Sequence, residues 1–365
     1  MRIVITGGGT GGHLFPALAV HDALRARRPE ANALFVGVAG GVEATILSRR
    51  GHAFRGLTVA QVRGKGLRGR LLAARRLPGT VRQASRILRE FRPQVVFGVG
   101  AYASVPTVLA AVLRGVPRVI HEQNAIPGLA NRALGRMASA VAVSFADTVR
   151  FFPAGRTRVT GNPVRAEIRA GDPLAARATL GLDGDRFTVL VFGGSQGAHR
   201  LNRAVLDALP ELARAGEDFQ FIHAAGTRDL ADVRRGYERS GVRARVEPFI
   251  DDMALAYQAA DFVVCRAGAG TVFELAAVGK PALLVPYPYA ANDHQRLNAE
   301  AAVQVGAAWI VLDRYCDGPR VAAGVRAARE NPAQLAEMGR RALALARPDA
   351  ADRIVDILER VALPA

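Results

Sequence analysis

Twice in this chain a short apolar run ends in a cluster of glycines and passes into a segment of helical spacing that opens with histidine. The first copy is Arg2-Ile3-Val4-Ile5, then Thr6-Gly7-Gly8-Gly9-Thr10-Gly11-Gly12-His13, after which Leu14, Ala17, Leu18 and Leu24 recur at helical spacing, with Pro16 accommodated in the first turn. The second copy, a domain's length later, is Val189-Leu190-Val191-Phe192 followed by Gly193-Gly194-Ser195-Gln196-Gly197-Ala198-His199. Strand, tight glycine turn and helix is the opening unit of a doubly wound α/β domain, which gathers its ligands beyond the strand carboxyl ends. Two such openings predict an α/β chain of two Rossmann-like, doubly wound domains facing each other across a cleft. A chain of 365 residues is too long for one ordinary core and fits two.

The join falls at Gly161-Asn162-Pro163-Val164-Arg165, which stops one sheet before a polar stretch to Arg186 leads into the next strand. The expected domains are 1–161 and 162–346, and Ala342 to Val361 carries the apolar spacing of a terminal helix. Asp183-Gly184-Asp185 has the form of a metal-clamping Asp-x-Asp, but it stands in an Asp/Gly turn before a strand and is read as a turn.

Polar groups concentrate between Phe249 and Asn298. Strand Phe262–Cys265 is followed by Arg266-Ala267-Gly268-Ala269-Gly270-Thr271-Val272-Phe273-Glu274, and strand Ala282–Pro286 by Asn292-Asp293-His294-Gln295 and Asn298. A turn of this kind exposes backbone N–H groups at a helix N-terminus, where an anion is stabilised. Glu274, about one turn in, suits a hydroxyl pair such as a ribose diol. The plainer alternative is a βαβ corner with small residues for packing; polar side chains at both strand ends favour a ligand site.

In the first half, His13 stands at a helix start, where the helix dipole disfavours imidazolium and suits a neutral general base. It equally suits a histidine capping its own loop. Gly7, Gly9 and Gly12 match the dinucleotide fingerprint by spacing alone, as any tight strand–helix corner does. Strand Pro93–Gly100 leads to Tyr102, Ser104 and Pro106, and strand Arg118–Ile120 to the polar tip His121-Glu122-Gln123-Asn124.

Lys and Arg number 49 against 32 Asp and Glu, a formal charge of +17. Such a chain seeks nucleic acid, anionic lipid or phosphorylated substrates, although an arginine- and alanine-rich composition also follows from a GC-rich genome. Basic and apolar residues interleave from Arg63 to Arg89: Arg63, Lys65, Arg68, Arg70, Arg75, Arg76, Arg82, Arg86 and Arg89 among Leu67, Leu71, Leu72, Leu77 and Val81. This suits a lipid headgroup surface or, equally, a solvated helix with an ordinary core face. No aromatic residues accompany the cations, which argues against nucleic acid. Pro78 is expected to break or restart the helix. Cys265 and Cys316 exclude a disulfide framework and a cysteine-rich metal site. Residues 1–20 do not form a signal peptide, and no run approaches the ~20 apolar residues of a membrane span, so a cytoplasmic protein is expected.

Arg-Ala-Gly-Ala-x-Thr-x-x-Glu from Arg266, Asp-His-Gln-x-x-Asn-Ala from Asp293, Gly-Gly-Thr-Gly-Gly-His ending at His13, His-Glu-Gln-Asn ending at Asn124 and Gly-Asn-Pro-Val-Arg ending at Arg165 together resemble the MurG family. These motifs span Thr6 to Asn298 in order. One departure is Ala101, where the family usually has glycine. The resemblance implies the GT-B glycosyltransferase architecture. Its first domain would face the acceptor and the membrane, its second would bind the UDP-sugar, and a terminal helix near 347–365 would return to the first domain. The implied reaction is inverting transfer of N-acetylglucosamine from UDP-N-acetylglucosamine to the muramyl 4-hydroxyl of lipid I, giving lipid II for the bacterial cell wall at the cytoplasmic face of the membrane. No metal, cofactor or nucleic acid is called for.

The resemblance also implies residue roles. His13 would be the general base, with Thr10, Gly11 and Gly12 in its substrate loop. His121, Glu122 and Gln123 would line the acceptor cleft. Asn124, Gln295 and Asn298 would orient the sugar, and Arg165 would contact the nucleotide. Ile250 would lie against the uracil, Glu274 would hold the ribose, Ser195 with the helix start Gly268, Ala269, Gly270 and Thr271 would hold the diphosphate, and Val272 and Phe273 would belong to the same substrate-binding set. His199 is read as a helix-surface residue. The alternatives are another GT-B enzyme, either a glycolipid glycosyltransferase or a UDP-N-acetylglucosamine epimerase, a nicotinamide dehydrogenase, or a binder without turnover. The dehydrogenase is disfavoured because no acidic residue ends a second strand near Phe35-Val36-Gly37.

Overall fold

The computed structural model describes residues 1–8, 11–58, 66–100, 102–169, 171–194, 197–214 and 219–363. They form two compact units, Met1–Arg165 with Arg347–Ala365, and Ala166–Ala346.

Among the described residues, the first unit is built on β1 (Arg2–Thr6), β2 (Asn32–Val38), β3 (Phe54–Leu57), β4 (Val95–Gly98), β5 (Arg118–Glu122), β6 (Ala140–Val143) and β7 (Thr157–Val159). All neighbours are parallel and the order is β3-β2-β1-β4-β5-β6-β7. Helices cover both faces, so the central strands β1 and β4 are buried and mainly apolar. On one face Ile3, Ile5 and Phe97 pack with Leu14, Leu18 and Leu24 of helix Gly11–Arg27 and with Ile354, Val355 and Leu358 of helix Ala350–Ala362. On the other, Val4, Val36 and Val96 meet Ala84 and Leu88 of helix Gly66–Phe91 and Val108 of helix Ser104–Leu113. Arg27 and Arg28 meet Asp352, Asp356 and Glu359 at the rim of the terminal helix. These pairs are largely exposed and add little beside the apolar burial.

The second unit, among the described residues, has β8 (Phe187–Phe192), β9 (Phe219–Ala224), β10 (Arg243–Glu247), β11 (Phe262–Cys265), β12 (Ala282–Leu284) and β13 (Ala308–Ile310). Their order is β10-β9-β8-β11-β12-β13, again all parallel. Leu201, Val205 and Leu209 of helix His199–Arg214 and Val321 and Val325 of helix Gly318–Glu330 close one face. Each sheet reverses its winding beside its first strand, between β1 and β4 and between β8 and β11. Both glycine turns therefore open at a topological switch point.

Three local expectations change. Pro78 lies inside helix Gly66–Phe91, which continues through it; one missing backbone donor is tolerated where the helix beyond it is held by the core contacts of Val81, Ala84 and Leu88. Helix Gly11–Arg27 begins before His13, so Pro16 sits one turn deeper than expected. The apolar spacing from Ala342 to Val361 belongs to two helices, Pro332–Leu345 and Ala350–Ala362. Pro348 lies between them, and its ring disfavours helical backbone at the residue before it. Cys265 and Cys316 are buried, and burial pushes the Cys316 thiol up to about 11 and that of Cys265 higher still. Both behave as small hydrophobes.

Candidate functional site

In the first unit, the carboxyl ends of β1, β4 and β5 carry the polar groups. Helix Gly11–Arg27 places His13 in its first turn, with Nδ1 3.0 Å from the Val99 carbonyl oxygen. Gln123 Nε2 donates to the same oxygen at 2.9 Å. A carbonyl only accepts, so His13 Nδ1 carries the hydrogen, and in the neutral ring Nε2 holds the lone pair. Gly100 is what permits the approach. Its φ is +87°, and a Cβ there would stand 3.2 Å from Asn131 Nδ2 and 3.3 Å from the His13 ring.

The tip of β5 is a scaffold. His121, Glu122 and Gln123 are buried, so the expectation that they line a cleft is corrected. Glu122 accepts from Asn124 N–H at 3.0 Å, from Asn124 Nδ2 at 3.1 Å and from Asn131 Nδ2 at 2.9 Å. Burial raises its pKa, and these hydrogen bonds oppose the rise. His121 is driven down to about 3 by burial and is neutral, with Nε2 3.3 Å from Ser144 Oγ. The polar row in the sequence reads as a binding surface because spacing does not reveal that its partners come from the Leu129–Gly135 helix and from Ser144, just past β6. Asn124 itself is partly buried and is oriented by Glu122. Arg165 is buried, its guanidinium 4.2 Å above the Phe15 ring.

In the second unit, Gly268 precedes helix Ala269–Val278 at the end of β11. Ala269, Val272 and Phe273 are buried, so these positions can present only backbone to a ligand, whereas Gly270, Thr271 and Glu274 are partly exposed. Glu274 Oε2 accepts from the hydroxyl of Tyr257, a fully buried residue of helix Met253–Ala259, at 3.0 Å. Gln295 Oε1 accepts from Ala267 N–H at 3.2 Å and Tyr287 N–H at 2.9 Å, which ties the loops after β11 and β12 together. Asn298 is fully buried and donates to the Ala267 carbonyl at 3.3 Å, so its described role is to shape that loop. Arg266 donates to the carbonyls of Val285 and Pro286 and meets Asp313 at 2.6 Å, joining the ends of β11, β12 and β13. Ile250 is buried just past β10.

Thr10, Ser195, Arg63, Lys65 and Ala101, and the side chains of Leu67, Arg68, Arg70, Leu71 and Leu72, lie outside the described residues. In the described end of that helix, Arg75, Arg76, Arg82, Arg86 and Arg89 are exposed opposite buried Ala84 and Leu88. Asp183 Oδ1 accepts Asp185 N–H at 3.1 Å, the hydrogen bond of a turn. Sequence reasoning missed Tyr257, Asp313 and Asn131. Tyr257 lies 17 residues from Glu274 and Asn131 nine from Glu122, and none of the three stands in a segment with a motif of its own.

Residues 3–143 match the glycosyltransferase family 28 N-terminal domain, and residues 188–354 its C-terminal domain. A Geobacter sp. (strain M21) protein named UDP-N-acetylglucosamine--N-acetylmuramyl-(pentapeptide) pyrophosphoryl-undecaprenol N-acetylglucosamine transferase is 48% identical over 355 residues, covering 97% of this chain and 95% of the relative. A protein of the same name from Citrifermentans bemidjiense is 47% identical, over 98% of this chain and 99% of its own. Among solved structures, Acinetobacter baumannii MurG is similar with a TM-score of 0.76 at 31% identity, over 98% of this chain and 99% of that one. A Neisseria meningitidis UDP-GlcNAc 2-epimerase bound to UDP-GlcNAc reaches a TM-score of 0.70 at 14% identity, over 99% of this chain and 100% of that one, a likeness of fold alone.

Proposed function

The chain belongs to glycosyltransferase family 28, among the UDP-N-acetylglucosamine–N-acetylmuramyl-(pentapeptide) pyrophosphoryl-undecaprenol N-acetylglucosamine transferases, and on that premise we propose how its residues divide the reaction. The enzyme transfers N-acetylglucosamine from UDP-N-acetylglucosamine to the lipid-linked muramyl pentapeptide, lipid I, and the product is lipid II. The transfer is a direct displacement with inversion: the muramyl 4-hydroxyl oxygen bonds to the anomeric carbon as the bond to the β-phosphate oxygen breaks, and its electron pair leaves with UDP. His13 takes the hydroxyl proton at Nε2, a role worth about 10²–10⁴ in rate. The observation that carries this assignment is the Nδ1 contact with the Val99 carbonyl, which leaves Nε2 as the basic nitrogen.

The second unit is the main holder of the donor. Glu274, oriented by Tyr257, receives the ribose hydroxyls, and Gln295 and Asn124 orient the sugar. The Ser195 turn and the helix start at Ala269 stabilise departing diphosphate by backbone donors and helix dipole. Arg165 and Ile250 serve the nucleotide. The first unit faces lipid I, and the basic, apolar stretch 63–89 rests on anionic lipid at the cytoplasmic face of the membrane. Among the described residues no helix is long and apolar enough to cross a bilayer.

The test is UDP release from UDP-N-acetylglucosamine with and without a lipid I analogue at fixed detergent. Release that depends on the analogue supports transfer. Conversion of the donor without it would place the chain with the epimerases that share its fold.

A further inference from the structure

Helix His199–Arg214 opens with an imidazole that the mechanism above leaves unused. His199 Nδ1 lies 2.9 Å from Asp229 Oδ1; Asp229 is buried, while the His199 side chain is 55% exposed. The other Asp229 oxygen accepts from Asn202 Nδ2 at 2.9 Å. Asn202 Oδ1 and His223 Nε2 are 3.1 Å apart, and His223 Nδ1 is 3.1 Å from the Tyr237 hydroxyl. Burial keeps His223 neutral, its pKa near 3, so Nε2–H donates to Asn202 and Nδ1 accepts from Tyr237. Burial raises the Asp229 pKa, but hydrogen bonds from His199 and Asn202 outweigh it and hold the carboxylate below its ordinary range. An ionised carboxylate only accepts, so His199 Nδ1 bears the hydrogen. A linked row of buried polar groups thus ends in one outward nitrogen, His199 Nε2, and such networks hold their members rigidly.

The place of this nitrogen matters as much as its orientation. His199 follows the glycine turn at the end of β8, beside the switch point of the second sheet. Gly197, at φ +74°, is pressed against the loop after β9: a Cβ there would lie 2.3 Å from the Ala225 carbonyl oxygen. That loop carries Asp229, so turn and anchor form one rim. Two arginines lie near this rim. Arg200 donates to the Arg314 carbonyl at 2.7 Å, and Arg228, 81% exposed, stands 4.0 Å from Asp229.

We propose that His199, oriented by Asp229, is a diphosphate-recognising residue of the donor site. When the ring carries a hydrogen on both nitrogens, its Nε2–H donates to a phosphate oxygen of the nucleoside diphosphate and stabilises the charge that gathers there as the sugar bond breaks. The inference rests on the reading of the second unit as the nucleotide-sugar unit.

Titration calorimetry of the full chain with UDP and with uridine, which lacks the phosphates, tests it. His199→Ala is expected to lose about tenfold in UDP affinity, in the range of one charge-assisted hydrogen bond, with uridine affinity unchanged. His199→Lys, which restores a cation, should recover most of the loss, and Asp229→Asn should lose part of the preference for UDP. A His199→Ala protein with the wild-type ratio of UDP to uridine affinity, or with both weakened alike, would overturn the proposal while leaving the donor site standing. Wild-type protein that bound neither ligand would overturn the nucleotide reading and this inference together.

Discussion

His13 Nδ1 and the Val99 carbonyl oxygen lie 3.0 Å apart, joining the helix after β1 to the end of β4 and setting which imidazole nitrogen is basic. His13→Ala should therefore lower kcat by about 10²–10⁴ and leave the donor KM nearly unchanged, read from initial rates with a lipid I analogue. A variant with wild-type kcat would remove His13 from the chemistry.

Gly100 lets that contact exist. Gly100→Ala introduces a side chain at φ +87° and against His13 and Asn131, at a cost of about 1–2 kcal/mol in stability. The loss of kcat should exceed what partial unfolding explains, measured on folded protein after a denaturation curve fixes the folded fraction.

Tyr257 and Glu274 divide a different task. Tyr257→Phe removes a donor of about 1 kcal/mol, so the donor KM should rise roughly fivefold with kcat retained. Glu274→Ala should raise it further, by about tenfold or more. Equal KM values in wild type and Glu274→Ala would show that the carboxylate does not touch the donor.

Buried histidines give the fold a pH dependence with a definite sign. His121 and His223 titrate near 3 in the folded protein, below the ordinary imidazole value of 6.5. Their contribution is present in full above pH 6.5 and is lost as pH falls from there toward 3, by up to about 1.4 kcal/mol per pH unit for each. Urea denaturation at pH 7 and pH 5 should show the difference, and equal stabilities would mean that neither is held neutral in the fold.

Much of the architecture was legible because hydrophobic periodicity and glycine turns are local. The two Arg2–His13 and Val189–His199 openings sufficed for two parallel sheets, and Phe262–Cys265 was read to its ends. Pro78 misled because the cost of proline in a helix is local while the contacts that outweigh it are not. His121, Glu122 and Gln123 misled in the same way: their polarity was visible, but the Asn131 and Ser144 groups that bury and satisfy them were not.

The sequence by itself determined the fold class, the family and the residue types at each strand end, since these follow from short-range pattern and motif order. Only the tertiary structure decided which polar groups are scaffold and which meet solvent. It put Asn298 and Glu122 inside, left His13 and Glu274 at the surface with their orienting partners, and brought Asp229 to His199. Hydrogen bonds between residues distant in the chain are set by how strands and helices pack, and no spacing along the chain encodes them.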